Sequence, residues 1–231
     1  MKDLENKLNY RFSNPKLLEA ALTHTSYARE KGKSYEFNNE RLEFLGDAYL
    51  DAIIGHKLFK IMSTSEEGVL SKRRSAVVCE ESLADVARQI GLGRHLRLGK
   101  GELQGGGADK SSILADALEA VIGAIVIDGG FYECERVVNR LLGDKVRMSV
   151  KGQLNSDYKS ELQEILQARF KSDVRIVYEV IKEEGPAHDK SFEVEVSSRG
   201  IVIGRGKGRS KLRAEQEAAH DAIDKGVEGV L

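Results

Sequence analysis

Apolar residues recur at helical spacing along the first two thirds of the chain, and the last third changes to strand-like alternation. Leu17, Leu18, Ala21 and Leu22 form a stripe behind Asn14-Pro15, the order of a helix cap followed by a first-turn proline. The pattern predicts further helices from near Asn38 to about Met62, from roughly Glu66 to Ile90, and from Ser111 to Asp128, where Gly129-Gly130 stops it. Another is predicted from about Phe131 to Leu142. Gly105-Gly106-Gly107 reads as a flexible loop without P-loop spacing. Residues 149–156 lose the helical period and read as a linker. Beyond it, Leu162, Ile165, Leu166 and Phe170 mark a helix over 157–170. Alternation over Arg175–Ile181 and Phe192–Ser197 predicts strands, with a turn at Gly185-Pro186. Arg199-Gly200 turns into a third strand over Ile201–Ile203, and Ser210 caps a last helix striped by Ala214, Ala218, Ala222 and Ile223. The pattern is a helical domain over 1–148, then a helix–three strands–helix domain over 157–228, whose helices can cover one face of the sheet.

The length of 231 residues suits two such domains, and 41% hydrophobic with 32% charged residues is a globular composition. No apolar run is long enough to span a membrane, and the opening Met1-Lys2-Asp3-Leu4-Glu5 lacks the apolar core of a signal peptide. Cys79 and Cys134 offer neither a disulfide framework nor zinc spacing, as expected in a reducing cytoplasm. A net charge of −1 argues against binding a polyanion over the whole surface. The stretch from Arg205 to Arg213, with five bases and no acid, makes such binding local.

Candidate chemistry lies in the acids. Glu40, Glu43 and Asp47 fall within roughly 60° of arc on one helix face, opposite Leu42, Leu45, Tyr49, Ala52 and Ile53. The plain alternative is the wet face of an amphipathic helix. Against it, the face lacks i+4 lysines to relieve its repulsion, and Phe44 projects beside it as an interface residue would. Asp116 and Glu119 repeat the i, i+3 spacing in a helix otherwise almost wholly apolar, where an unpaired carboxylate is expensive. Carboxylates gathered in this way suit a hard divalent cation such as Mg²⁺ or Mn²⁺, the chemistry of phosphodiester hydrolysis.

The run Asn39-Glu-Arg-Leu-Glu-Phe-Leu-Gly-Asp47-Ala48 resembles the signature of ribonuclease III. Leu22-Thr-His-Thr-Ser26 and the segment Ile113–Ala124 match its supporting segments. The C-terminal part resembles a double-stranded RNA-binding domain at Asp157–Gln163, Gly185-Pro-Ala-His188 and Ser210–Glu215. The resemblance implies an all-α endonuclease domain followed by a small α+β (α-β-β-β-α) RNA-binding domain. It implies Mg²⁺, replaceable by Mn²⁺, at Glu43, Asp47, Asp116 and Glu119, with Asp47, Glu119 and Glu40 in catalytic roles and Glu40 shaping the site. It also implies a homodimer with Phe44 plugged into the partner, no membrane and no organic cofactor. The expected activity cuts double-stranded RNA to 5′-phosphate and 3′-hydroxyl ends, in the cytoplasm, on ribosomal RNA precursors and messenger RNA.

A-form RNA displays its 2′-hydroxyls in a shallow minor groove. On the resemblance, Gln163 and Gln167 reach one such groove and His188 the next, while Lys211 and Arg213 meet the phosphates between them. Taken without the resemblance, the plain alternative for each is a surface residue, an alternative that the neighbouring Arg205, Lys207 and Arg209 weaken for Lys211 and Arg213. His24 reads as a packing or capping histidine. Leu212 stands where the family carries a base, so one phosphate contact is expected to be missing unless Arg209 or Arg213 replaces it. Two rival readings are a non-cutting RNA-binding protein and a hydrolase of small phosphate esters. Metal-dependent cleavage of a long RNA duplex separates the first, and truncation after about residue 150 the second.

Overall fold

The computed structural model describes residues 1–32, 37–154, 158–170, 175–185 and 190–226. The chain divides into two compact units, Met1–Asn155 and Ser156–Leu231.

In the first unit helices form where local signals are strong. Helix α1 (Lys2–Leu8) is short, and Leu4 and Leu8, one turn apart, are both fully buried. Helix α2 (Pro15–Ala21) starts as its sequence predicts, with the Asn14 side chain accepting from the Lys16 N–H. Helix α3 (Thr25–Glu30) is capped by His24, whose Nδ1 accepts from the Ser26 N–H. The central helix α4 (Glu40–Ile61) packs on α8 (Ser111–Val150), which bends where Gly130 leaves the helical region at φ 79°. Helix α8 runs past residue 149, where the spacing predicts a linker, and Ser149 and Leu154 are buried.

The helix expected over Glu66–Ile90 is two: α5 (Glu67–Val78) and α6 (Glu80–Gln89). Cys79 between them has an extended backbone, and Glu80 and Glu81 favour a fresh helix N-terminus behind it. Helix α7 (Lys100–Gln104) precedes the three glycines, which form ordered turns rather than a flexible loop: Gly105 closes the helix, and a buried Gly107 starts a 3-10 turn to Asp109. Arg88 ties that turn down, its guanidinium donating to Asp109 Oδ1, the Asp109 carbonyl and Ser111 Oγ at 2.9–3.0 Å. A second long-range tie is Asp128, which accepts from Tyr10 Oη (2.7 Å) and from the Ser13 and Asn14 N–H groups (2.8 Å each).

The second unit is helix α9 (Tyr158–Phe170), the antiparallel sheet β1 (Ile176–Glu184), β2 (Ser191–Ser198), β3 (Ile201–Gly208), in that order, and helix α10 (Lys211–Asp224). Arg199 and Gly200, both at positive φ, make the tight β2–β3 turn. Ser210 caps α10 by accepting from the Arg213 N–H. Gly185 is at φ 95°, while Pro186 lies outside the described residues. Strand β3 runs well past the predicted Ile203. A Cβ on Gly204 or Gly206 would stand 2.2–2.3 Å from backbone atoms of Ala214 or Ala218. The glycines let β3 lie directly on the alanine stripe of α10, while Arg205 and Lys207 point to the other face. Among the described residues, no helix is long and apolar enough to cross a membrane.

Candidate metal centre

Burial on α4 does not follow the amphipathic plan. Leu42 and Ile53 are buried as predicted, yet Ala52 is exposed, and Gly46, Leu50, Ile54 and Leu58 are buried. At about 100° per residue, Ile54 and Leu58 fall in the same arc as Glu40, Glu43 and Asp47. The acids therefore continue a core-facing stripe, and the wet-face reading fails for Glu43, which is half-buried against α8. The exposed face carries Phe44, Ala48, Ala52 and Phe59 instead.

Two glycines bring the helices together. A Cβ at Gly46 would lie 1.8 Å from the Glu119 carbonyl oxygen, and one at Gly123 would lie 2.1 Å from that of Leu42. With no side chain between them the backbones touch, and the acids one turn away converge. Glu43, Asp116 and Glu119 each bring a carboxylate oxygen to within 4.8 Å of the others. Asp47 lies outside this trio, exposed, but its charge is the strongest of those acting on Glu119. Glu40 also lies outside. It is exposed, and Asn38 holds it at both ends, the amide donating to its carboxylate and accepting from its N–H, each at 3.1 Å.

The trio is electrostatically strained. Burial, then the charges of Asp47, Asp116, Glu43 and Asp51, push the Glu119 carboxyl up to about 8. Burial, then Asp116, Glu40 and Asp47, raise that of Glu43. Burial and then Glu80 raise that of Asp116, with His24 acting the other way. An all-oxygen donor set whose own repulsion disfavours its charged state fits a hard divalent cation.

Two neighbours of the acids, Asp51 and Glu80, carry no signal used in the sequence, and a third, His24, does more than its spacing suggests. Asp51, held by Arg74 at 3.5 Å, extends the acid arc of α4, and its i+4 spacing from Asp47 was a usable signal. Glu80 comes from another helix, and no spacing relates it to Asp116. His24 caps α3, as expected, and also faces the acids.

Phe44 is 78% exposed beside a cleft of about 610 Å³ lined by Leu17, Ala20, Leu45 and Ile127. In the second unit, Gln163 and Gln167 are exposed on α9, and Lys211 and Arg213 are exposed in the first turn of α10. His188 lies outside the described residues. The five-base stretch is not one patch. Arg205 pairs with Glu195 at 2.6 Å and Lys207 with Glu193 at 3.2 Å, across the open face of the sheet.

Residues 14–145 match the Ribonuclease-III-like family model, and residues 158–225 match the double-stranded RNA binding motif. Ribonuclease 3 of Caldanaerobacter subterraneus subsp. tengcongensis is 46% identical over 96% of each chain. That of Magnetococcus marinus is 46% identical over 96% of this chain and 91% of its own. The nuclease domain of ribonuclease III from Campylobacter jejuni superposes with a TM-score of 0.58 at 43% identity, covering 62% of this chain and 96% of that one. With its metal-fitting acids at a helix crossing and its α-β-β-β-α unit behind, the chain belongs to the ribonuclease III family, the divalent-metal-dependent endonucleases of double-stranded RNA.

Proposed function

We propose that Glu43, Asp47, Asp116 and Glu119 hold Mg²⁺, with Mn²⁺ able to replace it, and that this centre cuts double-stranded RNA to 5′-phosphate and 3′-hydroxyl ends. The observation that carries this is the convergence of three half-buried carboxylates within 4.8 Å. Bound there, the cation supplies charge neutralisation at the scissile phosphate and a more acidic water. The chain's own part is positional: α8 fixes Asp116 and Glu119, α4 fixes Glu43 and Asp47, and Asn38 keeps Glu40 at the edge to shape the site. Cleavage of a defined duplex with Mg²⁺ and with chelator, mapping both product ends, tests the reading. Cleavage that persists in chelator, or 3′-phosphate ends, would overturn it. Ribosomal RNA precursors and messenger RNA in the cytoplasm are the substrates this reading expects.

The working form in this reading is a homodimer. Phe44 is strongly exposed and lines a mainly apolar cleft together with Leu17, Ala20, Leu45 and the exposed Ile127. The Campylobacter jejuni nuclease domain was described with structural flexibility in a region involved in dimer formation. Phe44→Ala is expected to raise the dimer dissociation constant by about 30-fold or more, the scale of an aromatic hot spot. Sedimentation over a concentration series measures it, and an unchanged constant sinks the role of Phe44.

RNA is held by Gln163, Gln167 and His188 in the minor grooves and by Lys211 and Arg213 on the phosphates. The paired charges of the sheet stand apart from this surface. Arg205→Ala should therefore leave duplex affinity within about twofold, whereas Lys211→Ala should weaken it and flatten its salt dependence by roughly one counterion. Equal losses in the two variants would return Arg205 to the phosphate path.

A further inference from the structure

The first turn of α10 presents Lys211, Leu212 and Arg213 to solvent, and Leu212 is 57% exposed. The side chain of a leucine between two cations at a helix start offers a phosphate no hydrogen bond, and burying a phosphate oxygen against it is costly. Leu212 does not face open solvent alone. It lines a cleft of about 590 Å³ with Arg175, with Ile176 and Tyr178 of β1, with Lys159, Ser160 and Gln163 of α9, and with Gln216. The Lys159 ammonium is already committed there, donating to Glu215 at 2.6 Å and lying 4.5 Å from the centre of the Tyr178 ring. Arg205 and Lys207, nearby in sequence, are paired on the opposite face of the sheet. The cleft thus sets the apolar side chains of Leu212, Ile176 and Tyr178 beside Gln163, Gln216 and Arg175, at the edge of the phosphate-facing turn.

The part of an A-form duplex with this character is the ribose edge of the minor groove, where C–H surface lies beside a 2′-hydroxyl. We propose that Leu212 is a specificity-determining contact, packing on a ribose of double-stranded RNA while Gln163 bonds its 2′-hydroxyl. This rests on the second unit being the RNA-binding unit. Such a contact releases no counterion, so it adds affinity that salt does not remove, and it favours RNA over a duplex lacking 2′-hydroxyls.

The test uses the full chain in chelator, binding one defined RNA duplex and its 2′-deoxy counterpart over a salt series. Leu212→Ala is expected to weaken RNA binding by about five- to tenfold at every salt concentration, the worth of roughly half a buried leucine. Its salt slope should match the wild type, and its preference for RNA over the deoxy duplex should shrink. Leu212→Met, which keeps the apolar reach, should restore most of both. The side chain is exposed, so thermal melts of the variants should coincide with the wild type. Wild-type affinity in Leu212→Ala overturns the proposal. So does a Leu212→Lys variant that binds more tightly with a slope steeper by about one, because Leu212 would then be a vacancy in the phosphate path. A wild-type chain that binds neither duplex overturns the RNA-binding reading itself, and the proposal with it.

Discussion

Glu119→Gln should stop RNA cleavage while leaving duplex binding intact and making the metal-free protein more stable at pH 8. The loss of rate should exceed about 10²-fold, the upper range for disturbing groups that merely support a metal ligand. The gain in stability follows from the same carboxylate. Its folded value of about 8 lies above its ordinary 4.5, so the folded state keeps a proton that the unfolded chain gives up. The stabilising difference is fully present below pH 4.5 and is lost as pH rises through about 8. Glu43 and Asp116 are shifted in the same direction, burial leading in each, and add to the trend. Wild-type melting temperature in chelator should therefore fall as pH rises from 4.5 to about 8, and a divalent cation should recover most at the alkaline end. The glutamine variant should show a flatter profile and a smaller response to the ion. Thermal melts across pH, with and without Mg²⁺, alongside a cleavage assay, measure all of this. Wild-type cleavage by the variant at saturating Mg²⁺ would remove Glu119 from the site. A flat wild-type profile would show that the trio is not strained.

Gly46→Ala should cost about 3 kcal/mol or more, at the upper end for overpacking, because one methyl group meets backbone rather than a yielding side chain. The oxygen it would meet at 1.8 Å is the carbonyl of Glu119 itself. Relief requires α4 and α8 to separate, which pulls Glu43 away from Asp116 and Glu119. Cleavage should therefore fall even at temperatures where the variant remains folded. Gly55→Ala on the same helix is the matched control. Its Cβ would meet Arg74 Cδ at an ordinary 3.7 Å, so it should gain up to about 1 kcal/mol of helix propensity. Urea melts of the two variants decide the matter. A Gly46→Ala protein within about 1 kcal/mol of wild type would mean that the crossing is looser than its geometry, since overpacking of this kind costs at least that.

What could be read from the sequence was whatever local chemistry settles. The start of α2 at Asn14-Pro15, the Arg199-Gly200 turn and the Ser210 cap are written in adjacent residues. The acid spacing is likewise a property of one helix at a time. What could not be read depends on partners. Glu43 of α4 is half-buried because α8 covers it while Glu40 and Asp47 stay exposed, and nothing in their spacing distinguishes the three. Gly46 and Gly123 look like weak points of two helices until the helices are crossed. The alternation of glycine with arginine and lysine in β3 has poor intrinsic strand propensity, so the predicted strand stops at Ile203. Only the alanine stripe of α10 makes it a strand, and only the glutamates of β2 show that its charges are spent. Short helices such as α1, α3 and α7 hold too few residues to establish a period. Glu80 reaches Asp116 from a separate helix, a relation no linear pattern encodes.

Asp128 has a consequence for the order in which the molecule is made. It is joined to Tyr10 and Asn14 across 118 and 114 residues of chain. At 5–20 residues per second, the N-terminal segment waits roughly 6 to 24 s on the ribosome before its anchor has even been synthesised. During that time Tyr10 and the backbone of Ser13 and Asn14 lack the carboxylate that holds them. The segment around Tyr10 is thus made well before the group that ties it down, and its native hold on the helical unit forms only after α8 has been synthesised as far as Asp128.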